Sequence, residues 1–287
     1  MFMKRIVLTV FTFLAGAMLF YTSPAHAEKT GVYVAPKFSV GFMNWQSSVD
    51  ADASTSMSGG GMVMPWGKDS YGMDSGSTNT ILGGNLAVGY DFYPRFNLPL
   101  RLELEYGIYG GGSSDGDSNI DTLKLTSHPL IPDSGQRIPG AKASYQIDIV
   151  NIQTLMANVW WDFRNSTAFT PYVGGGIGLS FIHAKGDMSL DLPNTPGTPY
   201  SGDLGGRTTT NFAWQLGAGC AWNITDTVAL DLGYRFMSLG TARTAEETFN
   251  KRIIEEMGVS SDLAVTAQGK AKNIYMHQVG LGIRFTF

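Results

Sequence analysis

From Val228 the chain reads Val-Ala-Leu-Asp-Leu-Gly-Tyr-Arg-Phe-Met. Val228, Leu230, Leu232, Tyr234 and Phe236 share one face, and Ala229, Asp231, Gly233 and Arg235 share the other. At the end, Val279, Leu281, Ile283, Phe285 and Phe287 alternate in the same way with Gln278, Gly280, Gly282, Arg284 and Thr286. A period of two sustained over ten residues predicts a strand. Eight segments carry it, at about 31–45, 78–93, 99–111, 145–164, 169–184, 209–224, 227–239 and 272–287. In the fourth, Asn151 and Gln153 break parity with Leu155 and Ala157, which predicts a bulge near 152–154.

The connections alternate in length. Tyr93-Pro94 to Leu98-Pro99, Asn165-Ser166-Thr167 and Asn223-Ile224-Thr225-Asp226 are short turns. The stretches 46–77, 112–144, 185–208 and 240–271 are long, rich in Gly, Ser, Asp and Thr, and read as loops. An even number of strands with short turns at one end and long loops at the other describes an eight-stranded antiparallel transmembrane β-barrel, all-β, with short periplasmic turns and four long extracellular loops. The geometry is consistent. A strand tilted by about 40° climbs roughly 2.5 Å per residue, so an apolar band of about 25 Å needs about ten residues. A soluble sandwich is the competing reading, but its second face would be polar. Here that face is mostly Gly, Ala and Asn with a few charges, which suits a crowded lumen.

Composition sharpens this. Charged residues make up 15%, glycine counts 36, aromatics reach 12% and mean hydropathy is -0.02. Such figures fit neither a coiled coil nor a disordered chain nor an average soluble enzyme. A net charge of -4 and a pI near 5.5 argue against a nucleic-acid partner. Lys4 and Arg5, the apolar run Ile6 to Tyr21 and the Ala25-His26-Ala27 site predict a signal peptide over 1–27, cleaved after Ala27. The remaining 287 − 27 = 260 residues, 28–287, form a single barrel domain. They carry 20 − 2 = 18 basic and 24 acidic residues, a net -6. Cys220 is the only cysteine, so neither an intrachain disulfide nor a lipid anchor near the N-terminus is expected. No stretch of about 20 apolar residues follows Ala27.

The apolar face must meet lipid. Leu86, Val88, Tyr90 and Phe92 supply it on the second strand, and Val173, Ile177, Leu179 and Phe181 on the fifth, with Gly174, Gly176, Gly178 and Ser180 inside. Tyr90, Phe92, Tyr93, Trp160, Trp161, Phe163 and Tyr172 cluster near the periplasmic turns, and Trp222, Tyr234, Phe236 and Phe285 add rings suited to an interfacial girdle. Charges fall on the inward parity: Lys37, Asp91, Arg101, Glu103, Glu105, Asp162, Asp231, Arg235 and Arg284. Eight strands enclose a lumen just wide enough for side chains. Four positive and five negative groups there read as a closed polar network, with a gated pore or proton relay as the alternative.

Several segments carry a resemblance. Thr170-Pro171-Tyr172-Val173-Gly174-Gly175-Gly176-Ile177-Gly178, Met156-Ala157-Asn158-Val159-Trp160-Trp161-Asp162-Phe163, Leu232-Gly233-Tyr234-Arg235-Phe236 and the closing His277 to Phe287 look like opacity-type porins and related surface antigens of the OmpA-like eight-stranded barrel superfamily. The resemblance implies a Gram-negative outer-membrane location, surface exposure, adhesion or antigenicity, without the anchoring role of a peptidoglycan-binding domain. Phe285 and Phe287, closing an alternating strand, resemble the motif recognised by the barrel-assembly machinery. Expected partners are therefore outer-membrane lipid and lipopolysaccharide, that machinery, and host or other extracellular ligands met by the loops.

Other chemistry is thin. His26 leaves with the signal peptide, His128 lies in a long loop, and His183 and His277 lie near outer strand ends. Ser180 with His183 is the one candidate pair for a lipid-modifying enzyme. Three residues apart on a strand, they point to opposite faces, so no catalytic site is assigned. Asp115, Asp117, Asn119 and Asp121 are spaced like the oxygens of a calcium loop, but Ile120 and Thr126 occupy the places of its Gly and Glu. A solvated acidic loop is the reading there, and no metal or cofactor is expected. Thr244-Ala245-Glu246-Glu247 resembles a capping box ahead of Phe249, Ile253, Ile254 and Met257, predicting a short amphipathic helix in the fourth long loop. The function expected is surface interaction, adhesion or envelope integrity, not catalysis. An OmpW-like channel for small hydrophobic solutes is the alternative, and a lipid-modifying enzyme comes after it.

Overall fold

Alternating side chains and glycine-relieved crowding produce strands far longer than an apolar band needs. The computed structural model describes residues 30–59, 62–124, 137–191, 199–256 and 259–287; the expected leader, with Ala25 and Ala27, lies outside them, as does His128. The strands are β1 (Val32–Gly59), β2 (Met62–Asp91), β3 (Leu100–Tyr109), β4 (Gly112–Lys124), β5 (Arg137–Asp162), β6 (Phe169–Asp191), β7 (Tyr200–Asp203), β8 (Arg207–Asn223), β9 (Val228–Glu256) and β10 (Val259–Thr286). A single helical turn, α1 (Tyr93–Phe96), fills the first short connection, with Pro94 in its opening turn and Asn97 left-handed at its end.

All pairings are antiparallel, and they close. The ladder runs β1-β2-β3-β5-β6-β8-β9-β10 and returns to β1 through β10, from Tyr33 opposite Thr286 outward. This is the expected ring of eight. Its third member breaks at Gly110-Gly111 and resumes as β4, and its sixth is preceded by the short β7. Large apolar residues point outward in one band: Phe38 and Phe42 on β1, Leu82 to Val88 on β2, Leu102 to Ile108 on β3, and Val279 to Ile283 on β10. Leu104 is 57% exposed and its neighbour Glu105 is fully buried, so the band faces lipid and the lumen is polar.

Four sequence expectations need correction. The stretches 46–77, 112–144, 185–208 and 240–271 are largely strand, because their polar residues alternate with small apolar ones and their backbone groups pair across ladders. No helix follows the Thr244 capping box: that segment lies within β9, and Thr244 Oγ1 accepts from the Gly269 amide at 2.9 Å. The segment Asp115 to Asp121 is likewise strand, part of β4, with Asp115 opposite Gln146 and Asp117 opposite Ser144 on β5. The bulge of β5 lies at Val150, between Ile149 and Asn151. Asn151, Gln153 and Leu155 therefore share the outward face, where the Tyr106 hydroxyl donates to Gln153 Oε1 at 2.7 Å. Among the aromatics, Trp160 and Tyr172 turn inward and meet edge to face at 5.4 Å, while Trp161, Phe163, Phe169 and Trp222 remain outside.

Beyond the apolar band the ring divides. Ladders join β2, β1, β10 and β9 over their full outer lengths, and β4, β5, β6 and β7 form a second set of four. The β2–β3 ladder ends at Gly83, and the β8–β9 ladder ends at Ser238. Among the described residues no ladder continues across either seam. Isolated hydrogen bonds stitch them instead: Asn79 Nδ2 donates to Ser113 O at 3.1 Å, Asn211 Nδ2 donates to Thr241 O at 2.8 Å, and the Ala245 amide donates to Gly205 O at 3.0 Å. Two four-stranded sheets thus pack face to face. Between them lies one apolar cluster that includes Trp45, Val49, Tyr145, Ile147, Ile182, Leu239 and Met276. Outside polar and inside apolar, this half inverts the half below it. From Phe42, the last large exposed apolar residue of β1, to Gly59 is 17 residues, or roughly 40 Å of projection.

Candidate functional site

The lumen inside the apolar band holds the charges. β1 and β3 bring Lys37 Nζ to 2.7 Å from Glu103 Oε1 and 2.6 Å from Glu105 Oε2. Arg235 on β9 reaches Glu105 from the opposite wall. Neutral groups complete the shell. Asn85 donates to Glu105 Oε1 at 3.0 Å, Asn158 donates to Glu103 Oε1 at 3.2 Å, and the Tyr33 hydroxyl donates to Glu103 Oε2 at 3.2 Å. Gln215 in turn holds Asn158 at 2.5 Å.

A second group lies nearer the periplasmic turns. Arg101 donates to both Asp162 oxygens, at 2.9 and 3.0 Å, with its guanidinium 4.9 Å from the Tyr172 ring. Arg164 bridges Asp162, at 3.4 Å, and Asp91. The third pair, Arg284 and Asp231, is looser at 3.7 Å, because Asp231 stands opposite Gly282 and reaches Arg284 only on the diagonal. All nine inward charges named from the sequence therefore lie in the lumen, in three clusters. Crowding leaves little free volume: at Gly219 a Cβ would overlap the Tyr172 hydroxyl. A cavity of about 20 Å³ between Lys37, Asn85, Asp231, Arg235 and Gln278 has room for about one water.

Above the charges the apolar cluster fills the space between the sheets, interrupted by one polar trio. Ser47 Oγ lies 2.8 Å from Ser114 Oγ and 3.2 Å from the Tyr145 hydroxyl. Burial pushes the Tyr145 hydroxyl above its ordinary pKa, so it stays protonated, and it donates to the Ser47 carbonyl at 3.3 Å.

A closed eight-strand ring, lipid-facing outside and charged inside, is an outer-membrane architecture. The family model of the outer membrane protein beta-barrel domain matches residues 11–285. The chain belongs to this family. As a member it resides in the Gram-negative outer membrane, crossing with strands. Among its relatives is the outer membrane protein PagN of Salmonella typhimurium, 27% identical over 218 residues, which span 76% of this chain and 78% of that one. A putative adhesin of Rickettsia bellii is 33% identical over 171 residues, 58% of this chain and 63% of that one. Of solved structures, Neisserial surface protein A aligns over 85% of this chain and 97% of its own, at 17% identity and a TM-score of 0.34.

Within this outer-membrane barrel the other sequence candidates stay apart. Ser180 points inward and donates to Leu239 O at 2.5 Å, whereas His183 points outward beside Thr208 Oγ1 at 3.1 Å. His277 lies on the lipid side, 2.7 Å from the Tyr234 hydroxyl. Asp115 and Asp117 are exposed on β4, and among the described residues no acidic, His or Cys cluster could hold a metal. Phe287 continues β10, its amide donating to Val32 O at 2.9 Å, with its side chain exposed.

Sequence reasoning missed Arg164, Tyr33, Asn85 and Asn158. Arg164 follows Asp162 by two residues in the exposed turn, and counting it would have balanced the network at five positive and five negative groups. The inward parity of Tyr33, Asn85 and Asn158 was readable, but polar neutral side chains carried no signal that set them apart from other lumen residues.

Proposed function

We propose that the protein is a non-conducting surface adhesion protein, whose extracellular half presents its connecting segments to ligands outside the cell. The observation that carries this reading is the apolar core between the two outer sheets. Where a channel would widen into a wet vestibule, Trp45, Ile147, Ile182 and Met276 instead belong to one buried apolar cluster. Below them the charges pair with one another, so an ion entering the lumen would have to displace internal partners. β1 carries this half outward from the band, and its lower part is packed against the second sheet through Trp45, Val49 and Ala51. The connecting segments are thus held on a preformed base, which lowers the ordering cost of binding.

The names of the relatives support the same reading: PagN is an outer membrane protein, and the Rickettsia relative is a putative adhesin. No catalysis is assigned, since Ser180 and His183 are committed to separate faces. Two measurements test the proposal together. Reconstituted in liposomes, the protein should pass neither ions nor small sugars. Expressed on a non-adherent bacterium, it should confer binding to host cells, and this should be lost when the β4–β5 and β6–β7 connections are shortened while the barrel still assembles. Steady conductance, or binding unchanged by both deletions, would refute it.

A further inference from the structure

On the outward face of β9 and β10 the apolar band ends in a layer of rings. Trp214 and Phe236 lie 5.6 Å apart, Phe236 and Tyr275 5.7 Å, and Phe236 and His277 5.1 Å. Rings of this kind sit at the depth of the lipid headgroups. Immediately above them stand three cations. Asn273 adopts the left-handed conformation, and the β9–β10 register shifts around it. Beyond this irregularity Lys272 and Lys270 project outward, and Arg243 lies directly opposite Lys270 across the ladder.

Like charges directly opposite on a ladder repel. Only one of the three is answered from within the chain: Lys270 Nζ lies 2.5 Å from Asp50 Oδ2. Arg243 and Lys272, both exposed, have no ion partner among the described residues. From Ser238 to Arg243 β9 contains no acid, and carboxylates resume further from the membrane at Glu246 and Glu247.

We propose that Arg243 and Lys272 bind a phosphate group of lipid A, the phosphorylated glycolipid of the outer leaflet, with the ring layer packing beneath against its sugar and acyl chains. The height of the patch selects this occupant. Cations level with the headgroups, and continuous with rings and apolar band below, fit an anion that arrives from the membrane. A sulfated polysaccharide approaching from outside would meet the sheets higher up.

Native mass spectrometry of the detergent-solubilised full chain tests this, with diphosphoryl lipid A and its enzymatically dephosphorylated form as probes. Wild type should prefer the phosphorylated lipid by roughly thirtyfold, the size expected of two cations at an anionic surface. The double variant Arg243→Gln/Lys272→Gln should lose that preference while still migrating as a folded barrel on unheated gels, and Arg243→Lys should keep it. If the double variant does not fold, Lys272→Gln alone should show a loss of severalfold. Three results would overturn the proposal: equal binding of both lipids by wild type, no loss in whichever variant folds, or displacement of bound lipid A by a soluble heparin-type polysaccharide.

Discussion

Glu105 and Leu104 are neighbours on β3 that face opposite worlds, and exchanging each in turn measures what the lumen charges contribute. Glu105 is fully buried and joins Lys37, Arg235 and Asn85. Glu105→Gln keeps the shape and removes the charge. At an effective dielectric of about 20, an ion pair at ~4 Å is worth ~4 kcal/mol of attraction. Lys37 does not become stranded, because Glu103 still holds it at 2.7 Å. Arg235 does, since Glu105 is its one ion-pair partner among the described residues. A single stranded buried charge costs about 3–5 kcal/mol. The Arg235 side chain is 11% exposed, so partial hydration places the expected loss near the lower end, at about 3 kcal/mol.

Leu104→Ala removes more apolar volume, but lipid or detergent refills the space, and the cost should be about 0.5–1 kcal/mol. Replacing both Glu105 by Gln and Arg235 by Met should recover at least half of the single-variant loss, because no charge is then stranded and the aliphatic stem still packs on Trp160, whose ring lies 5.4 Å from the Arg235 guanidinium. Equilibrium urea unfolding in micelles, followed by tryptophan fluorescence, reads all four proteins. The temperature at which the fast-migrating folded band disappears from unheated gels gives an independent ranking. If Glu105→Gln proves no less stable than Leu104→Ala, the lumen is wet and adaptable, and the argument for a sealed network fails.

Ile182→Ala, in the fully buried apolar cluster between the outer sheets, should cost about 2–5 kcal/mol locally and open the extracellular half to protease, while the membrane-embedded fragment stays intact; uniform resistance to limited proteolysis would contradict the packed core. Gly111→Ala should sharply reduce the yield of folded protein on refolding into micelles, because a Cβ there would collide with the Ile149 carbonyl where β3 gives way to β4. A normal yield would show that this junction tolerates a side chain.

The sequence alone determined the eight-strand ring, because period-two alternation is a local property: once Leu104 must face lipid, Glu103 and Glu105 must face inward. It could not determine which charges meet. Asp231 and Arg284 share parity, yet the register places Gly282 opposite Asp231 and leaves the pair at 3.7 Å, while Glu105 collects two cations from separate strands. Pairing across the lumen depends on stagger between strands that are distant in the chain, and no local pattern encodes that. The outer half was misread for a related reason. Ser, Gly, Asp and Thr signal loops when judged one segment at a time, and the alternation Val49, Ala51 or Val265, Ala267 is too weakly apolar to outvote them. It gains meaning only when β1, β10, β5 and β6 bring those small faces together and exclude water from between two sheets. The same Thr244 that begins a helix-capping pattern in sequence becomes a strand residue, because the ladder to β10 supplies partners along the whole strand that an isolated helix of a few turns could not match.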